Sequence, residues 1–166
     1  MEIEERITEL ERRLAALERT DHPGTRTAGG DLWALDGLTT MLAEHHIAHG
    51  GVLFTGKVQL PTDEHYAWQY ARPTDELLDE DWSQAADSFA ALGHPVRMRL
   101  LHEILGGRRT AAELAALEDL GTTGQIYHHL RQLTAAGWLH TAARGRYEVP
   151  PGRVVPLLVM FAAARP

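Results

Sequence analysis

Two helix starts stand twelve residues apart in this chain, Thr110-Ala-Ala-Glu113 and Thr122-Thr-Gly-Gln125. Each pairs a threonine with a Glu or Gln three residues later. In such a capping box the threonine oxygen accepts from the backbone N–H of the third helical residue, and the Glu or Gln side chain accepts from the threonine N–H. Leu120-Gly121 ends the first helix before the second begins. The spacing predicts two short helices joined by a tight turn. Ile126, Leu130 and Leu133 recur at i, i+4 and i+7 of the second helix and form one inward stripe. The opposite face carries Gly124, Tyr127, His128, Arg131 and Gln132, with donors, one cation and no carboxylate. After Gly137, residues 138–141 and 146–149 read as two short strands around Ala143-Arg144-Gly145, a hairpin tipped with arginine.

Charge singles out the same stretch. The whole chain has 166 residues and a net charge of −7, which by itself speaks against a polyanionic partner. The two halves differ, however. Residues 94–166 hold nine arginines against five carboxylates, net +4, whereas residues 1–93 hold seven Lys plus Arg against eighteen carboxylates, net −11. The chain has no cysteine, which excludes disulfides and thiolate metal sites. No signal peptide precedes the polar N-terminus and no apolar run approaches the roughly 18 residues of a membrane span, so a cytoplasmic, nucleoid-associated protein without membrane contact is expected.

Ahead of the basic half, Ile3, Ile7, Leu10, Leu14 and Leu17 alternate spacings of four and three, a heptad seam over residues 1–21. Arg6 and Arg13 at g would face Glu11 and Glu18 at e of a parallel partner, so a coiled-coil dimerisation helix is expected. Packing of the stripe on the chain's own body is the alternative. Residues 22–30 (HPGTRTAGG) have linker composition. Residues 31–80 read as a helix plus β-hairpin module serving as a dimer or effector region. Its helix, expected over residues 31–45, carries Leu32, Leu35, Leu38 and Leu42. Two strands follow, with Val52, Phe54, Val58 and Leu60 on one and Tyr66, Trp68 and Tyr70 on the other. An isolated hairpin is marginal in water, so its aromatic face must be covered. Trp33, Phe54, Tyr66, Trp68 and Tyr70 are candidates for an effector pocket, with an ordinary small core or dimer contact as the plainer reading.

Residues 81–166 form the expected main domain. Asp81 can cap a helix over residues 82–92, and His94-Pro95 marks the start of another, with Val96, Leu100, Leu101 and Ile104 inside. Pro150-Pro151-Gly152 breaks the chain before an apolar segment, residues 154–164, with Pro156 expected in its first turn. That segment is too short to cross a membrane and reads as an interface helix, with Val155, Leu158 and Val159 as dimerisation residues.

LGHPVRMRLL, TAAELAAL, TTGQIYHHLRQLTAAGWL and RGRYEV, over roughly the last 75 residues, resemble the winged helix-turn-helix of ArsR-type bacterial transcriptional regulators. The fold expected is therefore mainly α with small β (α+β): a winged helix-turn-helix preceded by the N-terminal coiled-coil helix and the helix-plus-hairpin module. The resemblance implies a homodimer that inserts its second motif helix into the major groove of double-stranded DNA at a palindromic operator, usually as a repressor released by an effector. Thr122, Thr123, Gly124, Gln125, Tyr127, His128 and Arg131 on that helix, and Arg144 and Arg146 on the wing, are then the candidate DNA contacts. The turn at Leu117-Glu118-Asp119-Leu120-Gly121 is one residue longer than the family's usual turn. The cysteines of the family's best-known metal sites are absent, and residues 154–164 carry no ligand. His45, His46 and His49 can bring two imidazoles within one turn, but they read as a polar helix end, and no metal or cofactor is expected. A small-molecule effector stays open. Two alternatives are kept: a winged-helix protein-interaction module without DNA binding, and a sensor built on the aromatic hairpin. No nucleophile with a base, carboxylate pair or phosphate-binding glycine loop points to an enzyme.

Overall fold

The computed structural model describes residues 32–164. The Ile3 to Leu17 stripe and the 22–30 linker lie outside the described residues. The chain divides into two compact units after Leu35. Of the first, only residues 32–35 are described, and the second, from Asp36 on, carries the features below.

Helix α1 (Trp33–Glu44) ends in a turn that leads into an antiparallel hairpin of β1 (Gly51–Gln59) and β2 (His65–Pro73). The register pairs Phe54 with Tyr70, Gly56 with Trp68 and Val58 with Tyr66. Directly paired residues share a face, so the alternation read from the sequence becomes a single aromatic side of the hairpin. A short helix, α2 (Thr74–Asp79), follows. The helix expected over residues 82–92 is in two pieces, a 3-10 turn at Trp82–Ala85 and helix α3 (Ala86–Leu92). Asp81 caps the first piece as expected, accepting from the Ser83 N–H.

Helix α4 (Pro95–Leu105) starts with proline at its first position, and the His94 ring nitrogen accepts from the Val96 N–H. Helix α5 (Ala111–Ala115) and helix α6 (Thr123–Ala135) both carry complete capping boxes, on Thr110 with Glu113 and on Thr122 with Gln125. Strands β3 (His140–Ala142) and β4 (Arg146–Glu148) make the wing. They are shorter than the expected 138–141 and 146–149. Trp138 and Leu139 turn inward instead and are each 2% exposed, with the Trp138 indole N–H donating to Ser88. Apolar burial of a large ring outweighs two more residues of hairpin pairing. Thr110 bridges to Arg146, so the wing also pairs with the chain entering α5.

Helix α7 (Pro151–Ala163) begins three residues before the expected start, because Pro151 supplies its first turn. Pro156 consequently lies in the helix interior rather than in the first turn. Ile126, Leu130 and Leu133 of α6 join Leu100, Leu101, Leu114, Val154 and Leu157 in one core, all fully buried. Each such side chain contributes about 1.5–3 kcal/mol by removal from water. The hairpin contributes to that core, with Leu60 buried and Val58 and Tyr66 packed against it. Its aromatic face is covered by α7 only in part, around Gly56, and Trp68 and Tyr70 remain exposed at 42% and 47%. A Cβ on Gly56 would meet Val155 Cγ1 at 2.6 Å, so only glycine permits this approach. Trp68 reaches Gly152 of the same helix, 3.6 Å from where a Cβ would stand. Val155, expected to face a partner subunit, is thus enclosed within its own chain at 1% exposure. Helices α4 to α6 followed by the β3–β4 wing make a winged helix-turn-helix, and no helix of the described residues is long and apolar enough to cross a membrane.

Candidate nucleic-acid interface

The outer face of α6 is set by its inner one. With Ile126, Leu130 and Leu133 in the core, the 3.6-residue period turns Gly124, Tyr127, His128 and Arg131 outward, and all four are exposed. Thr122, Thr123 and Gln125 at the start of the helix are exposed as well. The preceding turn is tight, with Asp119 and Gly121 both in the left-handed region at φ 66° and 92°. Gln125 serves the cap: its side-chain oxygen accepts from the Thr122 N–H at 2.8 Å and from the Thr122 hydroxyl at 3.2 Å. Gln132, also on the outer side, accepts from Arg97 at 2.7 Å.

Behind His128 lies a half-buried histidine, His129. The His129 ring is 4.7 Å from the His94 ring and 5.8 Å from that of His128, and its Nδ1 is buried with no hydrogen-bond partner. Burial first, then the neighbouring His94 and Arg97, hold its pKa below the usual histidine value.

The arginines of the basic half separate into two groups. Arg97 donates to the Ala90 and Ala91 carbonyls at the end of α3 and to Gln132. Arg99 and Arg108 both bind the buried Glu103, the former at 2.6 Å. Burial alone would push the Glu103 carboxyl up, yet the hydrogen bonds from Arg108 and Arg99 together hold it below the usual carboxylate range. Arg109 is buried and binds Glu64 and Glu148, and Arg153 lies over the Trp138 ring at 4.6 Å. Among the described residues of this half, Arg131, Arg144 and Arg146 are the arginines left with neither a hydrogen bond, an ion pair nor a ring contact from the guanidinium. Arg144 occupies the wing tip at φ 62°, and Arg146 opens β4.

Residues 92–141 match the family model of a helix-turn-helix domain. The match spans α4, α5 and α6 and stops inside the wing, and it supports a DNA-binding transcription regulator. No curated protein matches the chain.

The hairpin residues singled out in the sequence make packing contacts, though Trp68 and Tyr70 stay exposed. Phe54 and Tyr70 contact each other at 5.7 Å between ring centres, Tyr66 is half-buried against the core, and Trp68 lies against α7. Trp33 is exposed on α1. His49 is bonded to Asp75 at 2.9 Å, and the described residues contain no group of three or more ligands placed to hold a metal ion. Sequence reasoning missed Arg97 and Arg109. Both look like further members of a basic surface, and no local pattern distinguishes them from Arg131.

Proposed function

We propose that the chain is a sequence-specific transcription regulator of ArsR-type, acting as a homodimeric repressor on a palindromic operator. The observation that carries this reading is the set of free cations. An arginine already paired with a carboxylate gains little from a phosphate, whereas an unpaired one neutralises it and releases a counterion. Arg131 on the second motif helix and Arg144 on the wing tip are the unpaired ones, and Arg146 on the wing is exposed with no hydrogen bond from its guanidinium, although its charge is felt by Glu64 and Glu113. Thr122, Thr123, Gln125, Tyr127 and His128 would meet base edges and nearby phosphates, and Gly124 lets the backbone come close. Arg144 and Arg146 would reach phosphate or the minor groove.

A second copy is supported by the Ile3 to Leu17 seam in the sequence and by an apolar groove along α3, α4 and α7. Phe89, Met98, Met160 and Phe161 line it, with Phe89 62% exposed. Leu158 and Val159 are half-buried nearby on α7, whereas Val155 is left out because its own chain encloses it.

The test is selection of binding sites from random DNA by the pure full-length protein, with mobility shift on DNA upstream of its own gene at moderate salt. A recovered palindrome with half-sites about one helical turn apart is expected. Failure to enrich any sequence would overturn the reading, and a monomer by light scattering at micromolar concentration would remove the dimer.

A further inference from the structure

The wing is held by more than its own pairing. Its two strands form three residue pairs, and behind them sits Arg109, 8% exposed, between four elements. The Arg109 guanidinium donates to both carboxylate oxygens of Glu64 in the β1–β2 turn, at 3.0 Å to Oε1, and to Glu148 Oε1 of β4 at 3.4 Å. The Arg109 carbonyl accepts from the Tyr147 N–H of β4 at 2.7 Å, and the Arg109 N–H donates to Glu113 in the first turn of α5 at 3.1 Å. The hairpin turn is docked to receive it. Leu60 is buried, the Thr62 hydroxyl donates to Glu64 at 2.6 Å, and Thr62 Cγ2 lies 3.0 Å from where a Cβ on Gly107 would stand.

We infer that the β1–β2 hairpin is a brace for the wing, and that Arg109 is the positioning residue through which Glu64 sets Glu148, Tyr147 and the wing arginines for DNA. Arg146 stands two residues before Glu148, on the same side of β4, so anchoring one aims the other. The buried guanidinium needs both carboxylates: with one removed, it turns wholly to the other and moves the strand that carries it. The inference rests on the DNA-binding reading, but it also predicts a property of the free protein.

Glu64→Gln tests it, because the two effects of removing this carboxylate have opposite signs. As a negative charge near the interface, Glu64 only repels DNA, and its loss would tighten binding. As a brace, its loss weakens binding roughly tenfold, the worth of a charge-assisted contact, and lowers the salt slope by about one. Glu64→Gln combined with Arg146→Ala should then bind no worse than the weaker single variant, because both remove the same wing contact. Tighter or equal binding by Glu64→Gln, or additive losses, would overturn the inference. Hydrogen exchange without DNA is the independent measurement. The Tyr147 amide should exchange faster in Glu64→Gln while those of α6 do not change, and unchanged exchange at Tyr147 sinks the brace whether or not the protein binds DNA. If wild type binds no DNA, the functional reading fails and exchange still decides the brace. Thr62→Val, which loosens Glu64 without leaving Arg109 short of a carboxylate, should shift exchange the same way and serves if Glu64→Gln does not fold.

Discussion

The Gln125 side-chain oxygen accepts from the Thr122 N–H at 2.8 Å, closing the cap of the helix whose exposed face is the proposed DNA reader. Bidentate pairing of a glutamine with adenine requires the same oxygen. Capping and base reading therefore compete for one group.

Gln125→Glu separates the two. A carboxylate accepts the Thr122 N–H equally well and is favoured at a helix N-terminus, so stability should stay within about 0.5 kcal/mol of wild type. Having lost its amide donor and gained a charge, the variant should recover a different site from random DNA. An unchanged selected sequence would remove Gln125 from the base contacts. Thr122→Ala, by contrast, should lose about 1 kcal/mol in urea unfolding.

Arg131→Ala should weaken binding uniformly across DNA sequences and reduce the slope of log affinity against log salt by about one. The residue has no partner within the described chain, so the folded protein should keep its stability to within about 0.5 kcal/mol. A titration at three salt concentrations reads both quantities, and an unaltered slope would exclude a phosphate contact.

Gly56→Ala should destabilise by about 1–3 kcal/mol, because the added carbon would lie 2.6 Å from Val155 Cγ1. Val155→Ala in the same chain makes room for it. The double variant should be more stable than the sum of the single effects predicts, by about 1 kcal/mol in denaturant titration. Additive losses would mean that the hairpin and α7 shift apart freely.

Acid should destabilise the fold through His129. Its pKa is lowered in the folded state by burial and by His94 and Arg97, so on acidification the unfolded chain takes up the proton first. The stability that depends on neutral His129 is thus fully present above the unfolded value of about 6.5 and falls as pH drops from there toward the lower folded pKa. His129→Leu should flatten the unfolding free energy between about pH 7 and 5. A slope identical to wild type over that range would assign the acid sensitivity to other groups.

Much of the helix-turn-helix was legible because it is local. A capping box needs residues three apart, a stripe needs a period of 3.6, and both act within a turn of helix. Thr110, Thr122, Ile126, Leu130 and Leu133 accordingly stand where the sequence places them. Residues 138–141 and the last helix were misjudged where a local pattern met a distant one. Trp138 prefers the core and a bond to Ser88, fifty residues away, to a place in the wing, and Val155 is covered by Gly56 rather than by a partner.

By itself, then, the sequence determined the two capped helices, the inward stripe, the aromatic face of the hairpin and the charge split between the halves. The tertiary structure alone decided which arginines are free. Nine arginines in the basic half are chemically alike, and their state depends on what the fold brings to each: Glu103 to Arg99 and Arg108, Trp138 to Arg153, and Glu64 to Arg109 across forty-five residues. A carboxylate's reach is a few ångströms in space and has no fixed separation along the chain. That is why Arg131 and Arg109 read the same in the sequence, and why one lies exposed without a partner while the other is buried behind the wing.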